Sequence, residues 1–350
     1  MTSKANKRAR AKKIALWSFL SIFLGAMLAP LSGYMYVAVG GVAHAQAAED
    51  TNPRANYWRA VREGFTGYSA VQGQEANVLI QNGGHNWRQW RNGPIANYGP
   101  WLFALVVAVL AVFYMAKGRI QVHGAQSGEK VLRWSLFERN LHWINAVMFI
   151  ALGITGLSLL FGRAVLIPLL GPEGFAAWAE AAIAIHNLVG PVFILTTAVI
   201  ILVWIGHNIP KSHDIEWIKQ GGGYLAKGKH PHAERMNGGE KVWFWIIATF
   251  GVAVCVTGVI LDFPNFGQSR DTMQLSNLIH SAGAIIWIAV ALGHIYMGTL
   301  ATEGAMEGMT TGYVSKEWAQ QHHDLWYEQV KDQQVSDARS GSTTGSPSTY

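Results

Sequence analysis

From Asn277 to Gly298 the chain reads NLIHSAGAIIWIAVALGHIYMG, a stretch with no formal charge that is long enough to cross a bilayer. It nevertheless holds two histidines, His280 and His294, fourteen positions apart. At the rise and turn of an α-helix this puts the imidazoles about 21 Å apart along the axis and about 40° apart around it. Both therefore share one face, each near one edge of a hydrocarbon layer about 30 Å thick. An ionisable side chain at that depth is costly and turns toward a partner or cofactor inside the protein. Two on one stripe ask for two partners.

The composition agrees with a membrane setting. Of 350 residues, 50% are hydrophobic and only 14% charged, with 15 tryptophans, unlike a soluble enzyme of this length. The formal net charge of +6 comes from lysines and arginines gathered in particular loops, so they read as topology signals. A nucleic-acid surface would need a basic, aromatic-lined soluble domain, and none is present. The one cysteine, Cys255, lies in an apolar run and reads as a small core residue. A single thiol excludes structural disulfides within the chain, cysteine-ligated iron–sulfur clusters and C-x-x-C-H haem attachment.

Residues 1–45 have a secretory signal layout. Lys4, Lys7, Arg8, Arg10, Lys12 and Lys13 precede an apolar run from Ile14 to Val42 and an Ala43-His44-Ala45 cleavage pattern. The run is longer than usual, which leaves an uncleaved anchor helix as the alternative. Segment 46–98 is polar and aromatic, punctuated by Gly83-Gly84 and Gly93-Pro94, and reads as periplasmic despite its five arginines. Its His85 and tryptophans read as packing groups. Five apolar spans follow: Trp101 to Ala116 (an extra helix, 99–117), Leu141 to Phe161, Ala181 to Gly206, Val242 to Leu261 and Asn277 to Leu300. Loops 162–180 and 262–276 hold one arginine each, Arg163 and Arg270, whereas basic residues crowd 117–140 and 207–241. The excess of positive charge places the two crowded loops in the cytoplasm and the two sparse ones outside. Residues 301–330 then form a cytoplasmic segment. Residues 331–350, rich in Ser, Thr and Gly, read as a disordered tail. No internal repeat is visible.

Four of the thirteen histidines lie in apolar spans: His142, His186, His280 and His294. With this topology His142 and His294 sit near the cytoplasmic edge, and His186 and His280 near the outer edge. Pairing by depth is what bis-histidine ligation of two stacked b-type haems requires, one imidazole on each side of each iron. Gly190, Ala284 and Gly293 flank the ligands and permit the close backbone approach a porphyrin needs. Zinc is a weaker rival, because a histidine-rich zinc site gathers its ligands at one depth.

The segments RNLHW, IHNLVGP, HNIPKSHDIEW, ERMNGGEKVWFW, VTGVI, LIHSAGAIIWIAVALGHIYMG and GMTTGYVSKEWAQQHHDLWYEQV resemble the gamma (cytochrome b) subunit of membrane-bound respiratory formate dehydrogenases. The resemblance runs from about Arg133 to Val330 and leaves residues 1–132 as an extension. It implies an all-α membrane protein, with a four-helix transmembrane di-haem cytochrome b bundle over 133–300. To this are added the extra N-terminal helix and the signal or anchor. It also implies His142 and His294 as ligands of a cytoplasmic-side haem b, and His186 and His280 as ligands of a periplasmic-side haem b. A quinone, menaquinone or ubiquinone, would bind near Asn237, Gly239, Lys241 and His294. Without the family, Asn237-Gly238-Gly239 reads simply as a turn before a helix.

The function implied is electron transfer in the bacterial inner membrane, with the C-terminus in the cytoplasm. Electrons would arrive from a periplasmic iron–sulfur beta subunit and leave on quinone. Formate oxidation would belong to a molybdenum or tungsten alpha subunit, since this chain has neither the soluble volume nor the cysteines for it. No residue of this chain is assigned to formate chemistry. Rival readings are the cytochrome b of a hydrogenase or other periplasmic oxidoreductase, a haem-free membrane anchor, and a histidine-lined transporter. The last is disfavoured because the spans carry almost no Asp, Glu, Lys or Arg to form an ion path.

Overall fold

The computed structural model describes residues 82–224, 230–332 and 335–337. The expected signal or anchor at 1–45 and the part of segment 46–98 before residue 82 lie outside the described residues, as do residues 338–350. The chain is an all-α membrane protein. Four of its helical stretches are long and apolar enough to cross a membrane: Gly83–Lys117, Leu136–His207, Gly238–Asp262 and Arg270–Ala301. A backbone in hydrocarbon can satisfy its N–H and C=O groups only internally, so runs of Leu, Ile, Val and Ala this long become helices. Leu105, Val112, Leu188, Leu195 and Leu202 point outward on these stretches, as lipid-facing side chains do.

Helix α1 (Asn82–Trp90) passes through a π-helical turn, Arg91–Ile95, into α2 (Ala96–Lys117). Pro94 sits inside the π turn, where its missing N–H disturbs the i→i−4 ladder. Residues 82–98, read from sequence as part of a periplasmic segment with glycine and proline turns, are helical. Strand β1 (Glu129–Leu132) follows, then α3 (Leu136–Trp204). The expected outer loop 162–180 is helix as well, apart from one residue. Gly171 has φ 72° and ψ 170°, a region open only to glycine, and Pro172 restarts the helix with a pre-set φ. The chain doubles back there, because a Cβ on Gly162 would fall 2.1 Å from the Phe175 ring, whereas an unbroken helix holds residues thirteen apart about 20 Å from each other.

The remaining elements are α4 (Ser212–Lys219), α5 (Gly238–Ile246), α6 (Val252–Asp262), α7 (Arg270–Tyr296), α8 (Ala305–Thr311), strand β2 (Tyr313–Ser315), α9 (Lys316–His322), α10 (Asp324–Val330) and β3 (Val335–Asp337). Strand β1 pairs antiparallel with β2 on one side and β3 on the other. Three residues of the stretch read as a disordered tail are thus a strand, because β1 supplies the ladder partners a lone tripeptide lacks. Cys255 is half-buried rather than in a core.

The chain divides into two compact units. The first comprises the described residues up to Leu105, with Met148–Pro191 and Ala253–Ile285. Within it the Trp87 indole donates to Asn277 Oδ1 at 3.0 Å, docking α1 on the helix that carries His280. The second comprises Val106–Val147, Val192–Val252 and the described residues from Ile286 onward. One of its cores joins Trp134, Leu141, Ile200, Trp204, Met236 and Phe244. Another joins Val131 and Val314 of the sheet to Trp318, Ala319, Trp326 and Tyr327. The buried Arg133 guanidinium lies over the Trp134, Trp318 and Trp326 rings at 5.2, 4.8 and 5.5 Å and pairs with Glu240 at 2.9 Å, so it is a structural cation rather than a loop charge.

His322 and His323 are packed into this second unit. His323 is 1% exposed and its Nδ1–H donates to Glu234 O at 2.7 Å. Burial pushes His323 well below its ordinary pKa, and burial, with His230 and Arg133 adding, pushes His322 down to about 4. Both stay neutral in the folded chain, whereas the unfolded chain protonates them near pH 6.5. Below that pH the unfolded state binds more protons, so stability is full above about 6.5 and falls as pH drops toward 4. The melting temperature of the purified protein is expected to decline between pH 7 and pH 5. A His322→Gln variant should show a shallower decline, smaller by the equivalent of about 2 kcal/mol.

Candidate functional site

The four membrane histidines come together in two pairs, one in each unit. In the first unit, His186 of α3 and His280 of α7 face each other with ring centroids 6.1 Å apart. In the second, His142 of α3 and His294 of α7 do the same at 6.2 Å. The structure thus brings His186 to His280 and His142 to His294. Metal–imidazole bonds of about 2.0–2.1 Å, with each ring centre about 1 Å behind its nitrogen, put two imidazoles on opposite sides of one metal about 6 Å apart between centroids. Among the described residues no three or more His, Cys, Asp or Glu gather as a metal-binding group. Two facing imidazoles suit an iron whose other positions are filled by a porphyrin.

Helix α3, which carries His142 and His186, begins at a strong cap. Ser135 Oγ accepts the Glu138 N–H at 3.3 Å and Glu138 Oε2 accepts the Ser135 N–H at 2.9 Å, a capping box that starts α3 two turns before His142. Glu138 Oε1 also accepts from the Trp204 indole at 3.1 Å and from Arg235 at 2.7 Å.

Residues that sequence reasoning passed over hold the first pair. His186 Nδ1 lies 2.8 Å from Thr155 Oγ1. His280 Nδ1 lies 2.9 Å from Val254 O and 3.3 Å from Thr257 Oγ1. The glycine after each threonine is what admits the ring, since a Cβ on Gly156 or Gly258 would fall 3.2 Å from the Cε1 of His186 or His280. Both helices thus present the same doublet, Thr155-Gly156 and Thr257-Gly258, to the two rings. The signal was in the sequence as GITGL and VTGVI.

The second pair is framed by tryptophan. The Trp243 ring stacks on His294 at 4.7 Å and 11°, and the Trp143 ring meets His142 edge-on at 5.2 Å. Open space adjoins the ligands in both units, because a Cβ built on Gly190 or Gly293 meets no atom within 4 Å.

Of the expected quinone residues, Asn237 is the N-cap of α5. Its Oδ1 accepts the Glu240 N–H at 2.9 Å, and Glu240 Oε2 accepts the Asn237 N–H at 2.9 Å. Gly239 packs on the Trp217 ring. Lys241 is buried and its Nζ pairs with Asp214 Oδ2 at 2.7 Å. The residue of this turn that reaches His294 is Trp243. A cavity of about 390 Å³ opens beside Lys241, lined also by Lys211, Asp214, Ile218, Trp245 and Thr249.

Comparison with known proteins places the chain among membrane cytochromes b. Residues 133–312 match the prokaryotic cytochrome b561 family, a span that takes in all four histidines. The chain is 30% identical over 206 residues to the formate dehydrogenase cytochrome b556(fdo) subunit of Escherichia coli K12, covering 58% of this chain and 94% of that one. It is 29% identical over 205 residues to the nitrate-inducible formate dehydrogenase cytochrome b556(Fdn) subunit of the same organism, covering 57% and 92%. With the formate dehydrogenase cytochrome b556 subunit of Haemophilus influenzae it shares 30% over 203 residues, covering 57% and 82%. With apolar helices, two facing histidine pairs and a family match over half its length, the chain belongs to the prokaryotic cytochrome b561 family.

Proposed function

We propose that this chain is the membrane electron-transfer subunit of a formate dehydrogenase, holding two b-type haems and delivering electrons to a quinone. The observation that carries the reading is the pair of imidazole couples at 6.1 and 6.2 Å, supported by similarity to subunits named for formate dehydrogenase. Bound there, haem b supplies one-electron carriers.

The chain's own residues ligate and orient. His186 and His280 would hold one iron and His142 and His294 the other, and Gly190 and Gly293 would leave room for the macrocycle. The apolar helices keep water from the ligands. Electrons enter from an iron–sulfur partner on the periplasmic side of the inner membrane, and the molybdenum or tungsten partner oxidises formate. Quinone is reduced near the His142/His294 end, with Asn237, Gly239, Lys241 and His294 as the residues around it. The buried Lys241–Asp214 ion pair lines the cavity beside α5.

A dithionite-reduced minus oxidised spectrum of the detergent-purified protein, with haem quantified per chain, tests the reading. Two b-type haems per chain, reduced by formate in the intact complex, are expected. No haem in a folded sample would leave only a membrane anchor, and reduction by hydrogen instead of formate would assign the chain to a hydrogenase.

A further inference from the structure

We infer that Thr155 and Thr257 are positioning residues that fix the tautomer of the His186/His280 pair and hold its haem at a lower reduction potential than the His142/His294 pair; this rests on both pairs being haem ligands. A threonine hydroxyl has one hydrogen. Thr155 Oγ1 lies 2.8 Å from Ala151 O and Thr257 Oγ1 lies 2.7 Å from Ala253 O, each the carbonyl one helical turn back. A carbonyl only accepts, so the hydroxyl hydrogen is committed there. What each hydroxyl offers the imidazole is a lone pair, 2.8 Å from His186 Nδ1 and 3.3 Å from His280 Nδ1. Val254 O, at 2.9 Å from His280 Nδ1, can likewise only accept. Both rings therefore carry their hydrogen on Nδ1 and present a bare Nε2.

The second pair is built differently. His142 Nδ1 is buried with no hydrogen-bond partner among the described residues, and His294 lies under Trp243. An Nδ1–H that donates to a held acceptor makes its imidazole more basic and a stronger donor to oxidised iron. Oxidised iron is then favoured, and the potential falls. The His186/His280 site is thereby set low and the His142/His294 site high, a downhill direction written in hydroxyls and carbonyls.

The test is an optical redox titration of the purified holo-complex, with electron paramagnetic resonance of the oxidised haems, for wild type, Thr155→Val, Thr155→Ser and Thr257→Val. Wild type should resolve two potentials. Thr155→Val should raise the lower one by about tenfold in the reduction equilibrium, about 59 mV for one electron, and leave the higher one in place. Thr257→Val should move the same potential less, because Val254 O still partners His280. Thr155→Ser should restore it. If Thr155→Val sheds its haem, the other two variants decide, the lower potential having to move in Thr257→Val and hold in Thr155→Ser. An unmoved lower potential with both haems present, a shift of the higher one instead, or a serine variant that behaves like valine overturns the inference. A wild-type protein without haem would refute the ligand reading beneath it, which is a separate failure.

Discussion

A His186→Ala chain is expected to retain about half the wild-type haem, and a His280→Ala chain the same half. Each of these imidazoles faces the other at 6.1 Å inside one unit, so losing either leaves one iron with a single protein ligand. His142→Ala or His294→Ala should remove the other half, since that pair meets at 6.2 Å in the second unit. Combination separates pairing from general damage. The His186/His280 double variant should lose no more haem than either single one, because the two residues act as a unit. The His186/His142 double variant should lose nearly all. Formate-to-quinone turnover of the complex should fall to background in all four single variants, whereas formate should still reduce the remaining haem when His142 or His294 is replaced. Loss of the same haem in His186→Ala and His142→Ala would disprove the pairing.

Lys241→Met is expected to cost about 3–5 kcal/mol of stability, read as a lower melting temperature in detergent. Lys241 and Asp214 are 3% and 5% exposed and their charges meet at 2.7 Å. Glu234 stands 3.8 Å from the same ammonium, partly exposed and itself paired with Lys211. Removing the ammonium strands the Asp214 carboxylate, which also accepts the Lys211 backbone N–H at 2.7 Å at the start of α4, in a site that water hardly reaches. The penalty comes from the uncompensated charge rather than from lost attraction, so Lys241→Met with Asp214→Leu should recover much of it. If the double variant melts no higher than Lys241→Met, the charge account is wrong. Haem content should stay near wild type in the double variant if Lys241 has no part in holding haem.

The helices and the histidine pairing were legible because both depend on local rules, apolar run length and helical phase. Loop 162–180 was not, because glycine, proline and arginine resemble loop punctuation, yet one residue, Gly171, makes the whole break. Arg133 and Lys241 counted as topology charges, and each is buried against a carboxylate that lies more than twenty positions away in sequence. The sheet escaped notice because its three strands are three or four residues each and pair across nearly two hundred positions. The Thr-Gly doublets were visible as words, but their meaning needs the partner helices, since each holds a histidine on a different segment.

Helix α7 runs from Arg270 to Tyr296 and carries one histidine of each facing pair. Its length between His280 and His294 therefore acts as a gauge. Adding a single residue there would swing one imidazole about 100° out of phase with the other and displace it about 1.5 Å along the axis. Most side chains in between can vary while the helix keeps its length, but insertions and deletions cannot be absorbed. This stretch should tolerate changes of residue far better than changes of residue number.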